Sequence, residues 1–369
     1  MSSSKRQVLQ IIPQLPGTLD GVGDYALNLA KALHAYDGTE TVFIAARKTA
    51  VASKDGFRII SGLSESSFAA AEWEAHRVIL HYVNYAYQKR GVPFSLRRFA
   101  RRLRQQLRGR WLTNFHELYA SGPPWTSAFW LRPIQVKFAR DLIDMSDACF
   151  VSNPITEQAI REYDPSKKTI LAPILSNFGE PKRIDLSESS PRKWAICGGT
   201  ALVTRSLASF QQIQRAIPAS YAPRQLEVIG GRDNRATRTL VESMNKGAPA
   251  LTCHYHPEVS PERASELLSQ CSFAWLDYFG TGKVWPGMIL KSGSFAACCA
   301  HGIVPVLSHQ EKPFAVDGAE FPGSYFIVPG AVNLPPLESL QAIRQDIHEW
   351  YRAHASSARL ARIYTEALA

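Results

Sequence analysis

VLQIIPQLPGTLDGVGDYALNLAKAL, residues Val8–Leu33, contains one full period of the alternation that runs through the whole chain. A short apolar run, VLQII at Val8–Ile12, reads as a strand. The chain then passes through a glycine turn, and a helix begins within DGVGDYALNLAKAL, Asp20–Leu33. Val22, Ala26, Leu29, Ala30 and Leu33 fall on one face at helical spacing. Two glycines, Gly21 and Gly23, stand just where that helix starts. Glycine accepts positive φ and lets another molecule touch the main chain. A helix N-terminus offers unpaired N–H groups and a partial positive charge, which suits phosphate. Two readings stay open: a tight turn, or a place where a substrate sits against bare backbone. The pattern is not the dinucleotide G-x-G-x-x-G, because Ala26 holds the third glycine position, and no Walker lysine follows.

The same alternation continues outward. Strands are expected at Thr41–Ala46, Phe57–Ile60, Val78–Val83, Trp111–Phe115 and Ala148–Ser152, with helical patterns between several of them. At Asn177–Pro191 the texture turns polar, with Pro, Gly and Ser, and reads as a linker. Strands resume at Lys193–Cys197, Leu226–Ile229, Leu251–Tyr255, Phe273–Leu276, Ile303–Leu307 and Tyr325–Val328. Helices are expected near Ala201–Ile217, Ala236–Asn245, Pro261–Ser269 and Ser292–Ala300, and one late helix from about Leu337 to Tyr364. Strands alternating with helices imply parallel sheets covered on both faces. The fold class is therefore α/β, with two Rossmann-like doubly wound domains expected to face each other across a cleft. Their expected bounds are 1–180 and 181–345, with a terminal helix, 346–369, returning to the first. Ligands in such sheets bind beyond the carboxyl ends of the strands.

The 369 residues suit two domains, and 45% hydrophobic content suits a protein that buries real cores. No secretory leader is read in MSSSKRQ, and no run approaches the roughly 18–20 apolar residues of a membrane span. The six cysteines include the adjacent pair Cys298 and Cys299 but no C-x-x-C, so buried thiols in a reducing cytoplasm are expected. The net charge of +10 is partly local: Arg97–Arg110 holds seven arginines and no acid. Leu96, Phe99, Leu103 and Leu107 form its apolar stripe. Arg97, Arg98, Arg101, Arg102, Arg104 and Arg108 then form either a solvated basic face or a surface for anionic lipid headgroups or a lipid-linked phosphate. No interleaved aromatics or known module accompany them, so no nucleic-acid partner is expected.

Several stretches carry candidate chemistry. In TNFHELYASGPPW (Thr113–Trp125), His116 lies at a strand's carboxyl end, where it is either a ligand to substrate or a satisfied structural histidine. Glu117 is a candidate base or a solvated turn residue. Trp125, Phe129 and Trp130 form either an aromatic sugar platform or core. WAICGGT repeats the strand–glycine–helix junction at Gly198 and Gly199, and Arg205 beyond it suits a diphosphate clamp or plain exposure. Asp277–Leu307, DYFGTGKVWPGMILKSGSFAACCAHGIVPVL, is the richest segment. Its glycines, Lys291, Ser292, Gly293 and Ser294 at a helix start are parts of a phosphate cradle. His254 and His256 share a strand face without further ligands, so no metal site is assigned. No D-x-D pair is present. Asp141, Asp144 and Asp147 read as a solvated stripe.

Together these residues resemble the GT-B glycosyltransferases, specifically the retaining family 4 (glycosyl transferases group 1), over nearly the whole chain. In that family a glycine loop like Asp20–Asp24 opens the acceptor domain. A histidine such as that of TNFHELY approaches the transferred sugar. SDACFVSNP (Ser146–Pro154) is similar to the last strand of the first domain, and HGIVPVL matches the usual helix–glycine–strand pattern. The resemblance implies that His116, Lys291 and Arg205 act in catalysis. It implies that Gly21, Gly23, Glu117, Gly199, Thr200, Gly230, Asp277, Gly287, Met288, Ile289, Ser292, Gly293 and Ser294 bind substrate. PGMILKSGS also resembles the Gly-Met loop of trehalose-phosphate synthases, in which main-chain amides hold donor oxygens. By that likeness Gly287, Met288 and Ile289 present N–H groups, and Lys291 supplies charge. The family's two glutamates, separated by seven residues, have no counterpart: their places fall on Ile289 and Ala297, or on Pro286 and Ser294 with a shifted loop.

The implied activity is metal-independent, retaining transfer from a nucleotide-diphosphate sugar to a glycan or lipid-linked acceptor, as in polysaccharide biosynthesis. No cofactor is implied beyond the donor itself. The implied location is the cytoplasm, including the inner face of its membrane. The alternatives are a sugar-nucleotide epimerase or pseudo-glycosyltransferase on the same fold, and an inactive nucleotide- or lipid-binding protein. The absent glutamates favour the last.

Overall fold

The computed structural model describes residues 7–15, 21–64, 77–186, 190–247, 250–280 and 284–369. Asp20 and residues 281–283 lie outside the described residues, as does part of the linker, 187–189. The chain divides into two compact units: Met1–Ala172 with Ser357–Ala369, and Pro173–Ser356.

Unit 1 is built on β1 (Gln7–Ile12), β2 (Glu40–Ala45), β3 (Ser53–Lys54), β4 (Phe57–Ser61), β5 (Arg77–Tyr82), β6 (Trp111–Phe115), β7 (Ala148–Val151) and β8 (Thr169–Leu171). They form one sheet in the order β3-β4-β2-β1-β5-β6-β7-β8. Every neighbouring pair is parallel except β3 with β4. The order reverses beside β1, where Val8 registers with Thr41 on one side and Arg77 on the other. Helices cover both faces, so the central strands are apolar on both sides. Leu9, Ile11, Leu80 and Trp111 pack on one face, and Ile12, Phe43, Ala26 and Ala30 on the other.

The arginine-rich helix Phe94–Gln106 buries Leu96, Phe99, Ala100 and Leu103. Each large apolar side chain buried this way contributes about 1.5–3 kcal/mol, whereas each like-charge pair four residues apart costs only about 0.2–0.5 kcal/mol. Burial therefore wins over the arginine repulsion. Acids reduce that repulsion further. Arg97 and Arg101 both pair with Asp141, and Arg104 pairs with Asp147 at 3.1 Å. Asp147 also accepts from the Trp111 N–H at 2.7 Å, and Asp144 accepts from the Tyr163 hydroxyl at 3.1 Å. The three aspartates are thus fasteners between elements, not the solvated stripe expected from their spacing.

Unit 2 contains β9 (Ser190–Cys197), β10 (Gln225–Ile229), β11 (Thr252–His256), β12 (Cys271–Leu276), β13 (Val304–Leu307), β14 (Ala315–Val316), β15 (Ala319–Glu320), β16 (Phe326–Val328) and β17 (Ala331–Asn333). Its main sheet runs β11-β10-β9-β12-β13-β16-β17, parallel except for the last pair, and β14 with β15 makes a separate hairpin. The small-residue helix Gly293–Ala300 is buried at every position after its first. Beside it, Arg344 of the helix Leu340–His354 is 1% exposed. It donates to the Gly302 carbonyl at 2.6 Å, the Cys271 carbonyl at 3.0 Å and the Ser272 hydroxyl at 3.2 Å. All six cysteines are free and buried.

The structure corrects three expectations. The late helix is two helices, Leu340–His354 and Ser357–Leu368, broken at Ala355–Ser356. The Ser356 hydroxyl bonds back to the Arg352 carbonyl at 2.7 Å, a local alternative to continuing the helix. The expected linker ends early, since Ser190 and Pro191 already belong to β9. Ser146–Pro154 does not hold the last strand of the first unit: the three-residue edge strand β8 follows it, registered on β7. The helix Ser357–Leu368 belongs to unit 1, where the Tyr364 ring stacks on Phe150 at 3.8 Å.

Candidate functional site

In unit 2 the candidate groups gather at the carboxyl end of the sheet. Gly198 and Gly199 follow β9, Gly230 and Gly231 follow β10, Asp277 follows β12 and Ser308 follows β13. Gly198 has φ +138°, and a Cβ there would lie 2.5 Å from the Ser294 hydroxyl. Gly230 has φ +93°, and its Cβ would lie 2.6 Å from the Gly198 carbonyl oxygen. Only glycine fits this arrangement, so the loops after β9 and β10 pack backbone to backbone, and the Ser294 and Leu202 side chains close on Gly198. Gly199 differs, because a Cβ there would meet nothing within 4 Å. It caps the helix Thr200–Ile213 without a side-chain hydrogen bond. Gly231 closes over the next position, where a Cβ would lie 3.1 Å from the Thr200 nitrogen; a helix start of this kind is a setting for phosphate. Thr200 is committed through its hydroxyl, which accepts from the Arg232 N–H at 2.7 Å.

Arg205 and Asp277 are joined more closely than their sequence positions suggest. Arg205 Nε donates to the Asp277 carbonyl at 2.8 Å, and its Nη2 donates to the Tyr278 carbonyl. The Asp277 carboxylate accepts from the Ser308 hydroxyl at 2.8 Å and lies 3.9 Å from Arg205 Nε. Arg205 thus fastens the start of the loop after β12 while keeping 43% of its side chain exposed.

The loop before Gly293 is spent mostly on itself. Gly287, at φ +73°, donates its N–H to Glu311 Oε1 at 3.2 Å, and Met288 donates to the Trp285 carbonyl at 3.2 Å. Ile289 is fully buried. The Ser292 N–H donates to the Ile289 carbonyl at 2.9 Å, while its hydroxyl caps the helix by accepting from Phe295. The amides of Gly287, Met288 and Ser292 are therefore already engaged, the last two within the loop and Gly287 with Glu311. Gly293 and Ser294 open the following helix, and Lys291 stands half-buried at the end of the turn.

Unit 1 brings a second polar group to the carboxyl side of its sheet. His81, from β5, is fully buried. Its Nε2 lies 2.8 Å from Gln10 Oε1 of β1, and its Nδ1 lies 3.3 Å from His116 Nε2. Burial first, and His116 second, push His81 well below the usual histidine range, so it is neutral. With Gln10 accepting from Nε2–H, His81 Nδ1 carries the lone pair and accepts from His116 Nε2–H. His116 is thereby fixed in orientation through its Nε2. The two imidazoles stack at 5.6 Å, and Tyr25 of the helix Gly21–Asp37 meets the His116 ring edge-on at 5.1 Å. Gln10 Nε2 is buried with no partner among the described residues. At the start of the same helix a Cβ on Gly21 would meet nothing within 4 Å, and Gly23 is buried. Glu117 is exposed. A cavity of about 330 Å³ opens among Gln7, Glu40, Thr41 and Arg58, at the opposite end of the strands from this cluster.

Gln10, His81 and Glu311 were missed from the sequence. Gln10 and His81 left a signal, since each is the polar interruption of an apolar strand, VLQII and VILHY. Trp125 and Trp130 are neither core nor set against the His116 cluster by any ring contact among the described residues; both are exposed.

No family model matches the chain, and no curated protein matches it in sequence. Solved structures do match its fold. An alpha-glucosyltransferase in complex with UDP and a 13-mer DNA containing a HMU base is 12% identical, with 99% of both chains covered and a TM-score of 0.59. A glycosyltransferase from Rickettsia africae is 12% identical, covering 98% of this chain and 97% of that one, with a TM-score of 0.61. An alpha,alpha-trehalose 6-phosphate synthase from Burkholderia multivorans is 13% identical, covering 99% and 98%, with a TM-score of 0.58. The likeness is one of fold: two doubly wound α/β units of the GT-B class.

Proposed function

We propose that this chain is a glycosyltransferase that takes a UDP-sugar as donor and a glycan or lipid-linked acceptor, with retention and without a metal ion or other cofactor. The observation that carries the reading is the glycine-lined carboxyl end of unit 2. There the exposed Gly199 caps the helix that starts at Thr200, and the diphosphate is assigned to that helix start. Its support from outside is the shared fold with an alpha-glucosyltransferase that binds UDP. Unit 2 is assigned the donor and unit 1 the acceptor.

In the reaction, the bond from sugar C1 to the β-phosphate oxygen breaks and a bond from C1 to the acceptor oxygen forms. The departing phosphate takes the acceptor's proton. Negative charge builds on the diphosphate, and helix amides fixed in advance stabilise it without reorganising. Arg205, which already holds the loop after Asp277, and Lys291 are assigned the remaining charge. His116, oriented by His81 and Gln10, is assigned a contact to substrate sugar, and Gly21 and Gly23 allow close approach of substrate to backbone. The location is the cytoplasm, including the inner face of its membrane, which the arginine helix would meet. The absent glutamate pair favours the second reading, a protein that binds a nucleotide without turnover.

Calorimetric titration of UDP and UDP-glucose, with and without EDTA, tests the donor. A UDP-release assay with glycan, lipid and duplex DNA acceptors tests the transfer. Arg205→Ala and Lys291→Ala are expected to lower the rate by about 10²–10³ each. Binding without release for every donor and acceptor supports the second reading, and no nucleotide binding at all refutes both.

A further inference from the structure

We propose that the start of the helix Ser127–Met145, with the loop before it, is a membrane-docking surface that inserts aromatic side chains among anionic lipid headgroups. Trp125 is 85% exposed, Trp130 70%, Phe129 43% and Ile134 40%. They share a short stretch of the surface, and the rings of Phe129 and Trp130 meet edge-on at 5.3 Å. Each large aromatic side chain carries roughly 150–250 Å². Two exposed tryptophans with a phenylalanine and an isoleucine thus make a patch of the size that marks an interaction site on a monomer. They stand off the buried face of this helix, which among the described residues is made by Gln135, Phe138, Ala139, Leu142 and Ile143.

Charge decides what covers the patch. From Ser121 to Arg140 there is no acid, and Arg132, Lys137 and Arg140 are exposed. Arg132 lies over the Tyr119 ring at 5.5 Å and Arg140 over Tyr163 at 4.8 Å. The neighbouring helix Phe94–Gln106 is joined to this one through Phe94 on Phe138 at 5.0 Å, and adds exposed Arg98 and Arg102. A second copy docking symmetrically would bring these cations against one another, which like charges oppose. Tryptophans flanked by cations are the composition that settles at a bilayer–water interface. Anionic lipid complements the excess of exposed cations around the patch, where Asp141 is already paired with Arg97 and Arg101 and Asp144 with the Tyr163 hydroxyl.

This deepens the proposed membrane-facing role of the arginine helix and rests on it for the attraction, but not on sugar transfer. The full chain is mixed with phosphatidylcholine vesicles with and without phosphatidylglycerol, and with vesicles carrying brominated acyl chains. Expected are co-flotation only with the anionic vesicles, a blue shift of tryptophan emission, and quenching by the brominated chains. In Trp125→Ala/Trp130→Ala the quenching disappears and partitioning falls by about tenfold or more, with thermal midpoint and UDP binding as in the parent. Unchanged partitioning in that variant, with loss only in Arg98→Ala/Arg102→Ala, overturns insertion and leaves the arginine reading standing. No flotation with any vesicle overturns both. A concentration-dependent dimer abolished by the tryptophan variant assigns the patch to a second copy and overturns the proposal. Failure to bind UDP bears on the transferase reading alone.

Discussion

Lowering the pH from 7 to 5 should destabilise unit 1 through His81. The side chain is fully buried between Gln10, His116 and the helix carrying Tyr25, and no carboxylate is among the partners named for it. Burial, then the His116 charge, holds it well below its ordinary 6.5. In the unfolded chain His81 regains that ordinary value. Between the two values the unfolded chain binds one proton more than the folded one, so stability rises with pH there and levels off above about 6.5. For a group that stays neutral when folded, the unfolded state gains about 2 kcal/mol between pH 7 and pH 5. Against a total stability of about 5–15 kcal/mol, that is measurable. Urea-dependent hydrogen exchange of β1 and β5 amides reads unit 1 separately from unit 2. This matters because His301 in unit 2 is also lowered by burial and acts with the same sign. The parent should lose about 2 kcal/mol more than His81→Asn over this range. Equal losses in the two proteins would refute the neutral His81, and with it the fixed orientation of His116.

In Gly230→Ala the new Cβ would lie 2.6 Å from the Gly198 carbonyl oxygen, which must shift, and alanine must adopt φ +93°. A loss of about 1–3 kcal/mol in chemical denaturation is expected, with UDP affinity falling in the same variant by calorimetry. Arg344→Leu strips donors from three buried acceptors. Its unfolding free energy should drop by about 3 kcal/mol or more, and a near-neutral result would show that these carbonyls find other partners. Glu311→Ala leaves the Gly287 N–H buried without its acceptor. A drop of about 1–3 kcal/mol and faster exchange of the 286–292 amides are expected.

The alternation of strands and helices was legible because parallel strands covered on both faces must be apolar on both faces, and VLQII, VILHY and VPVL announce it. Of the strands of two or three residues, only β16 was expected, at Tyr325–Val328. The strands β3, β8, β14, β15 and β17 are held by register on a neighbour or by a hairpin, not by any periodicity of their own. The junction glycines were legible as glycines, but which of them the chain's packing demands was not. Gly198 and Gly230 are required by the close approach of their loops, while Gly199 and Gly21 face open space. The His116 cluster joins residues 10 and 81 of two strands with residue 116 just past the end of a third, and needed the sheet order to appear. The aromatic residues of Ser127–Met145 misled because helical spacing alone does not separate Phe138, which is buried, from Trp130, which is not.

The break at Ala355–Ser356 bears on how the protein is made. The unit that leaves the ribosome first lacks a piece that is synthesised after the whole of the second unit, since Ser357–Ala369 packs with residues 1–172. Until then Phe150 has no Tyr364 stacked on it, and the Arg77 guanidinium has no Leu368 carbonyl to bind. A stalled nascent chain ending before Ser357 is therefore expected to remain protease-sensitive in its N-terminal half, even with Pro173–Ser356 fully emerged. Dividing the coding sequence between the two units yields a first product that closes only when the terminal peptide is supplied in trans.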